Sequence, residues 1–368
     1  MENEKTAWVA LNMAGIGSGK LKNLLQFFGS PEGILGRSAG DLGKTEGIGE
    51  ETARRISGFA DGKAAKRELE KAEKTGVRVM IAAEKDYPFL LSQIYDPPIV
   101  LYVKGKLLEQ DRNAVGIVGS RRPSIQGRLN AEKLGTELAS RGFTVVSGMA
   151  RGIDTAGHRG ALSAKGRTIA VMGSGLDVVY PPENKGLMDE ISRSGAVISE
   201  FPFGTKPDRQ NFPRRNRVVS GLSLGVVVVE AGEKSGALIT AGFALEQGRE
   251  VFAVPGNVNL PTTKGCHQLI RDGAKLVEKV EDILEELNTD SVSVSACQRV
   301  NEKEKASKQL PLNNEEAKIY ELISGEPVYI DELAKQAGTE SYKLSQVLVN
   351  LEIRGLIKQL PGKYYVKR

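Results

Sequence analysis

Two hydrophobic periods alternate along most of this chain. From residue 77 onward, short apolar runs recur at 77–82, 114–118, 144–146, 168–172, 197–198, 225–229, 251–254 and 275–277. Stretches with helical spacing lie between most of them, such as 126–140, 155–165 and 237–247. Strand and amphipathic helix in repeated succession predict βαβ units, hence an α/β, Rossmann-like and largely parallel sheet over 77–287. Val226, Val227, Val228 and Val229 form a β-branched run, as expected of a central strand buried on both faces.

Residues 1–76 carry helical rather than strand patterning and contain two similar pieces. Gly15-Ile16-Gly17 and Gly47-Ile48-Gly49 each precede a helix. Such turns use glycine for positive φ, and the helix start behind them offers N–H groups to a phosphate. The segment resembles a tandem helix-hairpin-helix (SAM-like) all-α module, which makes Gly15, Gly17, Gly47 and Gly49 candidate DNA-backbone contacts. The alternative is a small bundle whose glycines only turn corners. Gly17-Ser18-Gly19-Lys20 imitates the end of a Walker loop, but Leu21 stands where a hydroxyl must hold magnesium and no strand precedes it. It is not an ATP site.

The polar stretch 288–312 reads as a linker. In 313–368, helical patterns at 315–323, 330–336 and 342–354 are interrupted by Gly338, and two short strands flank Pro361-Gly362. That is the pattern of a winged helix.

Charge adds a direction. The whole chain carries 51 basic and 46 acidic side chains, a formal +5. Residues 116–220 alone hold 16 Lys and Arg against 9 Asp and Glu, so a polyanion is drawn to the middle of the sequence. Two cysteines (Cys266, Cys297) and two histidines (His158, His267) give neither a zinc spacing nor a disulfide framework. The start is too charged for a signal peptide and no run is long enough to span a membrane, which points to the cytoplasm.

In an open parallel sheet, ligands gather at the carboxyl ends of the strands. The first such loop, Gly119-Ser120-Arg121-Arg122-Pro123, lacks GxGxxG spacing, and no acidic residue ends the next strand. A dinucleotide cofactor is therefore not expected. Ser120 and Arg121 still suit an isolated phosphate. In the next loop Asp154 is placed as a helix N-cap, and His158 as a packed, hydrogen-bonded residue. The richest stretch runs Arg209-Gln210-Asn211-Phe212-Pro213-Arg214-Arg215-Asn216-Arg217. Guanidinium groups there neutralise phosphates, and an aromatic ring stacks on an unpaired base. The competing expectation is that Asn216 and Arg217 fasten the helix to neighbouring loops and Phe212 belongs to the core.

With these motifs in order — GIVGSRRPS, SGMARGIDTAGHRGAL, GSGLDVVYPPENKGL, SEFPFGTKPDRQNFPRRNRVVSGLS, VVVVEAGEKSGALITAGFALEQGREVFAVPG and GCHQLIRDGA — the central segment resembles the bacterial DNA-processing protein A (DprA/Smf) family. The chain departs from that pattern at Gly157 and His267. The resemblance implies a non-enzymatic protein of natural transformation that binds and protects incoming single-stranded DNA. It also implies help in loading the RecA recombinase, a homodimer, and no cofactor. Carried onto this chain, it makes Gly119, Ser120 and Arg121 the leading DNA contacts, followed by Lys185, Arg209, Asn211, Phe212, Arg215, Asn216 and Arg217.

A rival on the same sheet is a nucleoside-monophosphate phosphoribohydrolase of the LOG type, with Glu230 and Glu246 as its carboxylates. Residues 230–237 lack the PGGxGT turn of those enzymes. A third reading is a regulator acting through its winged helix, whose basic residues are Lys358, Lys363, Lys367 and Arg368. Because the loops and the basic excess lie inside 77–287, that fragment is expected to fold and bind without either flanking module.

Overall fold

The computed structural model describes residues 2–287, 314–323, 328–337, 344, 347–348, 351, 357–360 and 364–367. The chain divides into two compact units, Met1–Ala296 and Cys297–Arg368.

The first unit is built on a nine-stranded sheet: β1 (Val77–Ile81), β2 (Val100–Gly105), β3 (Ala114–Gly119), β4 (Thr144–Ser147), β5 (Thr168–Val171), β6 (Ala196–Ser199), β7 (Gly225–Val229), β8 (Glu250–Ala253) and β9 (Lys275–Leu276). Their spatial order is β1-β2-β6-β5-β4-β3-β7-β8-β9. The seven strands from β6 to β9 are parallel to their neighbours, whereas β2 runs antiparallel to both β6 and β1. Strand β2, absent from the apolar runs above, follows Pro97-Pro98 and Ile99. Its Tyr102 is wholly buried, with its ring edge-on to Phe203 at 5.5 Å.

Strand order reverses at β3, which lies between β4 and β7. In a doubly wound sheet this switch opens a crevice at the carboxyl ends of the two diverging strands. The registers Val118↔Val228 and Gly119↔Val229 bring the loops after β3 and β7 side by side there.

The N-terminal segment is helical as read, with Glu2–Met13, Ser18–Phe28, Glu50–Ser57 and Lys63–Lys74 among its helices. Gly15 and Gly47 have φ of 74° and 77°. These helices share one hydrophobic core with the sheet: Trp8, Leu11, Leu24 and Ile56 pack with Val79, Ile99, Tyr102, Met172 and Ile191. Removing these helices would uncover the Val79, Ile99 and Tyr102 side chains at β1 and β2.

In the second unit, helices Asn314–Leu322 and Ile330–Ala337 accompany an antiparallel sheet of Val328–Tyr329, Tyr364–Lys367 and Ile357–Leu360. Ile319, Leu333, Leu344, Leu348, Ile357 and Tyr365 form its core. The expected linker 288–312, Gly338, Lys363, Arg368 and the Pro361-Gly362 turn lie outside the described residues, as does most of the third helical stretch.

Candidate nucleic-acid interface

Strand β3 ends at Gly119, where a Cβ would sit 2.0 Å from the Val229 carbonyl oxygen. Only glycine lets the two strands run this close before the chain turns away. The Ser120 N–H then donates to the Glu230 carbonyl at 2.7 Å, and the Ser120 hydroxyl accepts from Arg122 N–H at 3.1 Å. Four residues on, Ser124 caps helix Ile125–Ser140 by accepting from Gly127 N–H. The loop is thus pinned at both ends, with Arg121 and Arg122 exposed at its apex.

The loop after β4 is fastened from inside. Asp154 is buried and accepts from the N–H groups of Gly148 (3.1 Å) and Ala150 (3.2 Å). It is not the N-cap the sequence suggested. The helix begins at Ile153 with Gly152 as its cap, leaving Asp154 inside the first turn with its carboxylate folded back on the loop. Burial raises the Asp154 pKa, with Arg215 and two backbone N–H groups opposing. His158 is packed and hydrogen-bonded as expected: its Nδ1 lies 2.6 Å from the Thr168 hydroxyl. Because Thr168 already donates to the Val145 carbonyl, Nδ1 must carry the proton. Burial, seconded by Arg215, pulls its pKa down to about 3.

Helix Asn211–Gly221 carries the arginine-rich stretch and sorts it by position. Arg215 is buried beneath the crevice and donates to the carbonyls of Gly148 and Val171 and, at 3.2 Å, to Asn216 Oδ1. A Cβ at Gly148 would lie 2.5 Å from this guanidinium, so the glycine makes room for the arginine. Burial lowers the Arg215 pKa to about 10. Phe212 is half-buried; the Arg121 guanidinium lies 5.0 Å above its ring, that of Arg215 lies 5.9 Å from it, and Tyr180 packs at 5.9 Å.

Arg121, Phe212 and Arg215 line a cleft of about 650 Å³ at the switch point. Of the residues expected from the sequence, it brings together Gly119, Ser120, Arg121, Arg209, Phe212, Arg215 and Asn216. Lys234 and Ser235, from the loop after β7, complete it; a lysine in the small-residue loop five positions past the buried valine run was the signal for them. Among the described residues, Arg121, Arg209, Arg215 and Lys234 form no ion pair, whereas Arg151, Arg214 and Arg217 pair with Glu183, Glu200 and Glu200.

The other expected contacts lie elsewhere. Arg217 is buried against Glu200 and the Asp96 carbonyl, so it fastens the helix rather than facing the cleft. Asn211 turns its amide to the Lys206 carbonyl at 3.3 Å, and Lys185 is exposed at the start of helix Lys185–Ser194; neither lines the cleft. Asn216 also reaches the Gly236 carbonyl at 3.3 Å. At the first glycine hairpin, Asp96 already accepts from Ser18 N–H (3.2 Å) and the Ser18 hydroxyl (2.6 Å), taking the place a phosphate would need. At the second hairpin, Gly49 is followed by Glu50 and Glu51 in the first helical turn. Glu230, proposed for hydrolysis in the rival reading, is buried with both carboxylate oxygens on Ser124, and Glu246 is exposed at the end of helix Gly236–Glu246.

No group of acidic, His and Cys side chains suited to a metal and no membrane-length apolar helix occurs among the described residues. The fold is that of a Rossmann-like α/β protein with cationic side chains and an aromatic ring at its switch point. The chain belongs to the DNA recombination-mediator protein A family, whose pattern matches residues 78–288, and a DprA winged helix domain matches 303–363. Protein Smf of Synechocystis is 34% identical over 395 residues, spanning 100% of this chain and 99% of the relative. The X-ray structure of DNA processing protein A from Streptococcus pneumoniae superposes with a TM-score of 0.66 at 38% identity, covering 75% of this chain and 95% of that one. A Helicobacter pylori DNA processing protein A structure, described by its single-stranded DNA binding mode, has a TM-score of 0.52 at 29% identity and covers 57% and 99%.

Proposed function

We propose that this chain binds single-stranded DNA in the switch-point cleft, as a cytoplasmic protein of natural transformation without catalytic activity of its own. One observation carries the reading: Arg121 and Arg215 flank the half-buried Phe212 ring without an ion pair among the described residues, the nearby Asp154 carboxylate being turned to the N–H groups of Gly148 and Ala150. A cation without an ion pair suits a phosphate, and a ring beside it suits an unstacked base. A duplex keeps its bases stacked, so the ring favours single strands. The Helicobacter pylori relative, described by its single-stranded DNA binding mode, supports the same ligand class.

Protection of incoming DNA, loading of RecA and action as a homodimer belong to the same proposal and rest on family membership. The boundaries at 76/77 and 287/288 and the treatment of residues 1–76 as a helix-hairpin-helix module belong to it too and rest on the sequence pattern. Enclosure of both Glu230 oxygens by Ser124 supports binding over hydrolysis. Fluorescence anisotropy with single- and double-stranded oligonucleotides tests the central statement. Tighter binding of the single strand is expected; equal affinity for the duplex, or release of adenine from AMP, overturns it.

A further inference from the structure

Both ends of the loop that presents Arg121 are tied to one residue, Glu230. Its carbonyl accepts from Ser120 N–H at 2.7 Å. Its carboxylate accepts from Ser124 N–H at 2.9 and 3.0 Å and from the Ser124 hydroxyl at 2.6 Å. The same serine caps helix Ile125–Ser140, so the carboxylate also sits at the positive end of that helix. Two details show how closely the site is built around it. A Cβ at Gly127 would fall 2.1 Å from Glu230 Oε2. Glu230 itself has φ of 59°, a left-handed conformation that a glutamate adopts only where its surroundings impose it.

We infer that Glu230 is a positioning residue for DNA: it fixes the 120–124 turn so that the Ser120 and Arg121 groups meet phosphates in one geometry. This rests on the cleft being the single-strand site. The residue needs no contact with DNA. It contributes by removing the freedom the turn would otherwise lose on binding, because an arginine on a loose loop is ordered only at the cost of affinity.

The test measures binding of an oligo-dT probe by anisotropy, together with thermal unfolding, for the full-length wild type, Arg121→Ala, Glu230→Gly, Glu230→Gln, Ser124→Ala and the double variants with Arg121→Ala. Glu230→Gly keeps the carbonyl tie and suits the backbone conformation; Glu230→Gln keeps the shape but loses an accepting oxygen. Loss of a charge-assisted hydrogen bond at the turn should weaken binding about tenfold in each Glu230 variant. The deciding readout is non-additivity, which a merely structural role does not produce. Arg121→Ala should weaken a Glu230 or Ser124 variant much less than it weakens the wild type. Ser124→Ala leaves residue 230 untouched and decides the matter if both Glu230 variants unfold. Additive losses, unchanged affinity, or tighter binding through removal of a negative charge each overturn the inference while leaving the cleft as the DNA site. Failure of the wild type to bind oligo-dT overturns the cleft reading itself, and the inference with it.

Discussion

Arg217 and Glu200 form a buried ion pair, Nη2 donating to Oε2 at 2.6 Å, while Nη1 reaches the Asp96 carbonyl at 2.5 Å. Arg215, two residues earlier on the same helix, is equally buried yet meets only carbonyls and an amide. The helix thus spends one arginine on its own attachment and leaves another without an ion pair at the cleft floor, near the buried Asp154. Arg209, just before the helix, and Arg121, on the turn beyond β3, stand exposed at the cleft. This division orders the predictions.

Arg217→Ala should act on stability. It leaves the buried Glu200 carboxylate with only the exposed Arg214, 3.4 Å away, and removing one partner of a buried pair costs up to about 3–5 kcal/mol. Denaturant unfolding should show a loss of that order. The salt dependence of DNA binding should be unchanged in whatever protein remains folded. A variant of normal stability with a flatter salt slope would return Arg217 to the DNA path.

Arg121→Ala should act on binding. Removing one phosphate contact to a single strand flattens the plot of log affinity against log salt by about 0.7. Arg209→Ala should do likewise, and neither exposed residue should lower the unfolding temperature appreciably. An unaltered slope in both would place the DNA elsewhere.

Phe212→Ala should weaken single-strand binding by about 1–3 kcal/mol with almost no change in slope, because stacking releases no counterions. The ring also packs with Tyr180 and beneath Arg121, so some thermal stability should go with it. Circular dichroism on the variant separates the two effects. Complete unfolding would make Phe212 a core residue only.

Stability should fall as pH drops below about 6.5, through His158. Its folded pKa is depressed to about 3 by burial, so the unfolded chain takes up the proton first. The neutral ring contributes its full stability above the unfolded value near 6.5 and loses it toward the folded one, by about 1.4 kcal/mol per pH unit. Between pH 6.5 and 5, where carboxylates contribute least, His158→Gln should flatten the curve of unfolding free energy against pH. An unchanged curve would show that the histidine is already charged or exposed.

Deleting residues 2–76 should leave an aggregating or unfolded product. Val79, Ile99 and Tyr102 pack in the core those helices complete, and each loses that cover. Size-exclusion chromatography and circular dichroism of 77–287 give the answer; a folded monomer or dimer that binds DNA would show that the sheet tolerates an open face.

The sequence by itself determined the parallel core of the sheet, because strands buried on both faces must be written as apolar runs and the helices between them must carry a 3.6-residue period. It determined the cleft's position too, through loops such as Ser120-Arg121 and Arg209–Arg217 that carry charge where strands end. It could not settle which of those charges point outward. Arg214, Arg215 and Arg217 share one helix and one side-chain chemistry. Whether each pairs with Glu200, lies under Gly148 or faces solvent depends on what the fold brings opposite, across more than a dozen residues of sequence. The same holds for Glu230, which reads as a carboxylate free for chemistry until Ser124 arrives from 106 residues away to occupy it. Strand β2 and the core shared by the N-terminal helices were likewise decided by long-range packing. Periodicity records which face of an element is buried; only the tertiary structure names what buries it.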